Sequence, residues 1–263
     1  MPSRSKASRS ACCAAARPCE ATMSSALPAA VWRASQLGHA GIDAVSSGFP
    51  ALDAELPGAG WPAGMLTELI SRESGIGELR LLVPLLRQLT RERRFVVLLA
   101  PPLQPYAPAL ASHGIQLDYL LVVQAPSAAD RLWAVEQTLE SAAFGALLAW
   151  LPQERTRPEH LRRMQSAAQP AGGPVFLFRP LAAQFDASPA PLRLLLLPRP
   201  EQRLSVQILK RRGPVMADPI LVDLPQPVST IRPRASTLAT APEPHPMRTI
   251  HARHDAPHEG TLN

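Results

Sequence analysis

Met65-Leu66-Thr67-Glu68-Leu69-Ile70 runs directly into Ser71-Arg72-Glu73-Ser74-Gly75-Ile76-Gly77-Glu78-Leu79, and a leucine-rich stretch follows. The order predicts a strand, a glycine loop and a helix, the layout of a phosphate loop. Such a loop works through three groups: backbone N–H groups that glycine leaves free to cradle phosphate, a lysine that reaches the β- and γ-phosphates, and a Ser or Thr hydroxyl on Mg²⁺. Glu78 and Leu79 stand in the lysine and Ser/Thr places. A carboxylate there suits the helix dipole but repels phosphate. The only lysines of the chain are Lys6 and Lys210, so no shift of alignment restores the missing cation. Ser71, Gly75, Gly77, Glu78 and Leu79 therefore read as a phosphate loop without its chemistry.

Outward from this stretch, short apolar or alternating segments recur at 95–100, 120–124, 146–150, 175–178, 192–197 and 204–209. Several are continuous and bounded by Pro or Gly, as in strands buried on both faces. Helical patterns lie between the earlier ones. Ser127 and Asp130 form a capping pair ahead of Leu132, Val135, Leu139 and Ala143 at helical spacing, and Pro158 opens a helix holding Leu161 and Met164. Pro84 falls inside the helix after the glycine loop, where a kink or break is expected. Strands alternating with helices imply an α/β fold with a predominantly parallel sheet.

Composition sets the limits of the domain. A chain of 263 residues with 46% hydrophobic content suits one domain of about 200 residues with tails. Residues 1–22 lack an apolar period and read as a disordered extension, with Met23 a natural start. Residues 23–225 form the folded domain, and the Pro-, Thr-, Arg- and His-rich stretch 226–263 reads as a disordered tail. The net charge of +6 divides unevenly, with +3 on the extension, +1 on the tail and +2 on the domain. A basic balance carried by the tails argues against reading the domain as a broad nucleic-acid surface. Cys12, Cys13 and Cys19 all lie in the extension, so the domain has neither disulfide nor thiolate metal site. The apolar runs are too short for a signal peptide or a bilayer span, and a cytoplasmic protein is expected.

Ser47-Gly48-Phe49-Pro50-Ala51-Leu52-Asp53 and then Gly58-Ala59-Gly60-Trp61-Pro62-Ala63-Gly64-Met65 resemble the segment that leads into the ATP-binding strand of RecA. Gly75 to Leu81, with Ser25-Ala26-Leu27-Pro28 and Val31-Trp32-Arg33-Ala34, is more specifically similar to the ImuA family, whose relation to RecA covers residues 23–225. The resemblance implies a RecA-like core. It also identifies the other nucleotide positions, each altered here. Trp150 stands where an Asp orders Mg²⁺, and Phe178-Arg179-Pro180 replaces the polar sensor, so no enzyme activity and no cofactor are expected. By the same resemblance the chain is a non-catalytic accessory factor of damage-induced (SOS) translesion DNA synthesis and mutagenesis, nucleoid-associated after damage. Its implied partners are the polymerase-like adaptor ImuB and an error-prone replicative-type polymerase, with RecA and DNA as further contacts. A SulA-like cell-division inhibitor acting on FtsZ is the alternative, because it shares the altered core.

Lys210-Arg211-Arg212 is the densest basic cluster of the domain. It is a candidate for DNA or partner contact, set against the plainer reading of a solvated strand end. Trp61 and Trp150 are expected in the core; Trp32 and Trp133 are candidates for interface anchors. The loop from Phe185 to Pro191 is a further candidate for partner contact. No residues are assigned to catalysis or to a metal.

Overall fold

The computed structural model describes residues 41–152, 156–213, 216 and 218–226, and the backbone of 248–251. The extension 1–22, and the tail apart from Gln226 and the short segment 248–251, lie outside the described residues, as do the Ser25–Pro28 and Val31–Ala34 motifs.

The alternation of apolar segments becomes a sheet. Its strands are β3 (Leu66–Ser71), β4 (Val96–Leu99), β5 (Leu120–Gln124), β6 (Ala146–Trp150), β7 (Val175–Pro180), β8 (Leu192–Arg199), β9 (Arg203–Lys210) and β10 (Ile220–Asp223). The backbone of β11 (Arg248–His251) adds a ninth, parallel to β5. The order is β10-β9-β8-β3-β7-β6-β4-β5-β11, which puts β3 well inside the sheet. All neighbours from β8 to β11 pair in parallel, whereas β9 and β10 are added antiparallel. A separate two-stranded ribbon, β1 (Ala44–Val45) with β2 (Trp61–Pro62), precedes it.

The period of two in each strand sorts residues between two apolar layers. Leu148, Trp150, Phe176 and Phe178 enter one layer, while Leu147, Ala149, Val175 and Leu177 enter the other. Helix α2 (Glu78–Arg91) covers the first face through Leu81, Leu82, Leu85, Leu86 and Leu89. Helices α4 (Ala128–Ser141) and α5 (Pro158–Ala171) cover the second through Val135, Leu139, Leu161 and Met164. The shorter α1 (Pro50–Asp53) and α3 (Ala107–Ser112) lie in the connections. Ser127 caps α4 as expected, its Oγ accepting from the Asp130 N–H at 3.0 Å.

Of the kink or break expected at Pro84, the break does not occur, and α2 runs from Glu78 to Arg91 through the proline. Gly48 packs against the proline: at φ +83 it has no Cβ, and one would come within 2.4 Å of the Pro84 Cβ. The ring thus becomes a packing surface, and burial of the flanking leucines offsets the lost hydrogen bond. The same helix ends at Arg91, with Arg93 at φ +58 and the Arg94 N–H reaching back to the Leu89 carbonyl at 3.0 Å.

Candidate functional site

The carboxyl ends of parallel strands leave their connecting loops at one edge of a sheet, and a crevice forms where those loops diverge. Here the loops after β3, β4 and β6, the end of β7 and Arg131 of α4 enclose a cavity of about 290 Å³. Arg72, Glu78, Arg131, Trp150, Phe178 and Arg179 are among its lining residues. Ser71 and Glu78 of the glycine loop meet the sequence-distant Trp150 here.

The glycine loop has the backbone of an anion cradle. Gly75 at φ +88 and Gly77 at φ +106 turn their N–H groups inward, with Gly77 leading into α2. Glu78 fills that cradle from within: its Oε1 accepts from the Gly75 N–H at 2.7 Å and its Oε2 from the Gly77 N–H at 3.1 Å. The residue is only 5% exposed. Sequence alone suggested repulsion of phosphate; the geometry adds that the carboxylate takes the donors a phosphate would need. Ser71 is also engaged locally, its Oγ donating to the Glu73 carbonyl at 2.9 Å, and Leu79 packs against the apolar layer under α2. Trp150 stacks on Phe178 with ring centroids 4.3 Å apart and planes 6° apart, leaving an aromatic surface where a metal-binding carboxylate was sought.

Lys210, Arg211 and Arg212 do not join this crevice. Strand register aligns Ser71 with Leu196 and then Val206, whereas Lys210 sits opposite Arg193, level with Glu68. Nor do the three residues act as one cluster. Lys210 Nζ donates to the Ser188 carbonyl at 2.8 Å, Arg211 pairs with Glu55 at 2.7 Å, and Arg212 is exposed.

Beside the crevice lies a polar network that the motif reading does not reach. Glu68 is fully buried in β3, and its carboxylate meets Arg193 Nε at 2.7 Å, Ser188 Oγ at 2.6 Å and Arg179 NH1 at 3.5 Å. Arg179 also pairs with Asp186 at 3.1 Å, and Arg193 donates to the Ala183 carbonyl at 2.6 Å. The signal was a single charge inside each of three apolar strands, since a buried charge requires a partner. Arg80 of α2 makes another tie, donating to the carbonyls of Pro225 at 3.0 Å and Leu224 at 3.3 Å and to Gln202. Burial holds its pKa below the usual arginine value. His113 is likewise lowered, first by burial and then by the positive charges of Arg80 and Arg87. Among the described residues no cluster of His, Cys, Asp and Glu suits a metal ion, and no helix is long and apolar enough to cross a membrane.

The family model described as Cell division inhibitor SulA matches residues 64–175, from the approach to β3 to the first residue of β7. Similar proteins include the Cell division inhibitor SulA of Pectobacterium atrosepticum, 30% identical over 124 residues, covering 47% of this chain and 73% of the relative. That of Serratia marcescens is 29% identical over 126 residues, with 48% and 72% covered. That of Klebsiella pneumoniae strain 342 is 26% identical over 147 residues, with 56% and 86% covered. These relatives correct the functional expectation. They are named for division inhibition, which displaces the accessory role in translesion synthesis and mutagenesis, the partnership with ImuB and an error-prone polymerase, and the contacts with RecA and DNA. The altered nucleotide positions could not make this distinction, because both readings predict them. Similarity that runs from β3 to β7 can, and by it the chain belongs to the SulA family.

Proposed function

We propose that this protein is a cytoplasmic cell-division inhibitor, made in response to DNA damage, that binds the tubulin-like division protein FtsZ and acts by occupancy rather than by catalysis. The observation that carries the reading is the relation to Cell division inhibitor SulA from β3 to the start of β7, which supplies most of the crevice lining. The scaffold is a RecA-type core whose phosphate loop has become structural. In support, β3 leads through a glycine loop into α2 from inside a mostly parallel sheet, with Glu78 engaging the loop donors and Trp150 stacked nearby. Phosphoryl transfer depends on positioned cations and a metal. Neither a loop lysine nor a carboxylate at position 150 is present to supply them.

The test combines cells and purified proteins. Expression in cells that carry the cognate FtsZ is expected to produce filaments. The isolated protein should bind FtsZ and lower its assembly in proportion to the amount added, with no ATP turnover of its own. Normal cell length at full expression, together with no FtsZ binding, would overturn the proposal.

A further inference from the structure

We infer that the loop between β7 and β8 is a preformed docking surface, with Phe185 as its anchor and Lys210 and Arg212 as its basic rim, and that it receives an acidic protein surface containing an apolar hollow. The inference rests on the proposed function, which makes that surface part of FtsZ. Phe185 is 85% exposed, the most exposed of the large apolar side chains among the described residues. An exposed aromatic on a loose loop would carry little meaning, but this loop is fastened on both sides of the ring. Before it, the Ala183 carbonyl accepts from Arg193 at 2.6 Å and from the Asp186 N–H at 3.0 Å. After it, Asp186 pairs with Arg179 at 3.1 Å, and Ser188 bonds through its hydroxyl to Glu68 at 2.6 Å and through its carbonyl to Lys210 at 2.8 Å. The buried network thus fixes the backbone around Phe185 without covering the ring. Holding an anchor in place beforehand reduces the ordering cost of association, and aromatic residues are prominent among the few that dominate interfaces.

The rim indicates the partner's charge. Among the described residues no carboxylate pairs with Lys210 or Arg212, whereas Asp186 is matched by Arg179 and Glu55 by Arg211. A protein hollow bordered by carboxylates complements one apolar anchor on a loop to which Lys210 is bonded, with Arg212 two residues further along the chain. Single-stranded nucleic acid instead favours successive stacking faces along a basic groove. Trp150 and Phe178, the stacked pair near β7, are buried, so they extend no such track. Phe185, Lys210 and Arg212 all lie beyond residues 64–175, so this surface belongs to the part of the chain outside the family match.

Binding of the full chain to purified FtsZ tests the inference, with Phe185→Ala, Phe185→Leu and Arg212→Glu beside the wild type and with thermal melts confirming the fold. Phe185→Ala is expected to weaken binding by about thirty-fold, the scale of an interface hot spot. Phe185→Leu should retain most of the affinity, and Arg212→Glu should slow association and flatten its salt dependence. Wild-type affinity in a folded Phe185→Ala variant would overturn the docking surface and leave the proposed function standing. Absence of wild-type binding would overturn both. Phe185-dependent binding of a single-stranded oligonucleotide, with FtsZ binding unaffected by Phe185→Ala, would overturn the assignment of a protein partner.

Discussion

The loops after β3 and β7 leave neighbouring strands, and each is organised by a glutamate, yet they end in opposite conditions. In the first, Glu78 bends back onto the N–H groups of Gly75 and Gly77, and the loop satisfies itself. In the second, Glu68 sits beneath the loop and fixes it through Ser188 and Arg193, whose guanidinium in turn holds the Ala183 carbonyl. Phe185 is left outside. The first loop uses its own N–H donors internally; the second is held from below and leaves an aromatic side chain exposed.

Removing Glu68 is the strongest way to break this comparison. Glu68→Ala leaves Arg179 and Arg193 buried without their shared carboxylate, and a loss of about 3–5 kcal/mol in urea unfolding is expected. A loss below about 1 kcal/mol would mean that the second loop does not depend on the network. Glu78→Ala is expected to cost less, about 1–3 kcal/mol, because it leaves two backbone donors short of an acceptor. Hydrogen exchange should then quicken at Gly75 and Gly77 while the amides of 183–190 stay unchanged. Exchange that rises equally in both loops would show them to be one unit.

The smallest effect concerns pH and lies away from both loops. His113 has a lowered pKa in the fold, so below about pH 6.5 the unfolded chain takes up a proton more readily than the folded one. Stability from this residue is complete above that pH and declines as pH falls toward the folded-state value. His113→Gln is expected to reduce the acid slope slightly in urea melts at pH 5 to 7 compared at about 0.15 M salt. An unchanged slope would show that His113 does not contribute to the acid sensitivity of the fold.

Much of the scaffold was legible because its signals are local. Apolar runs bounded by Pro and Gly gave β3 through β9 nearly in full, and Ser127 and Pro158 marked the starts of α4 and α5. Pro84 did not end α2, because the leucines on both sides of it are buried against the sheet, a tertiary contact that local propensity does not contain. Part of the site was legible too: Ser71, Glu78 and Trp150 do line one crevice. The basic run 210–212 did not remain a cluster, since Arg211 is drawn to Glu55, 156 residues away.

By itself, the sequence determined the alternation of strands and helices and a glycine loop that contains no lysine. Both follow from residue type and short-range spacing. Only the tertiary structure decided that Glu78 would occupy its own loop, that Glu68 would meet Arg193 at a separation of 125 residues, and that Phe185 would be held in the open. Each of these depends on strand order and register, which join groups that local periodicity cannot pair.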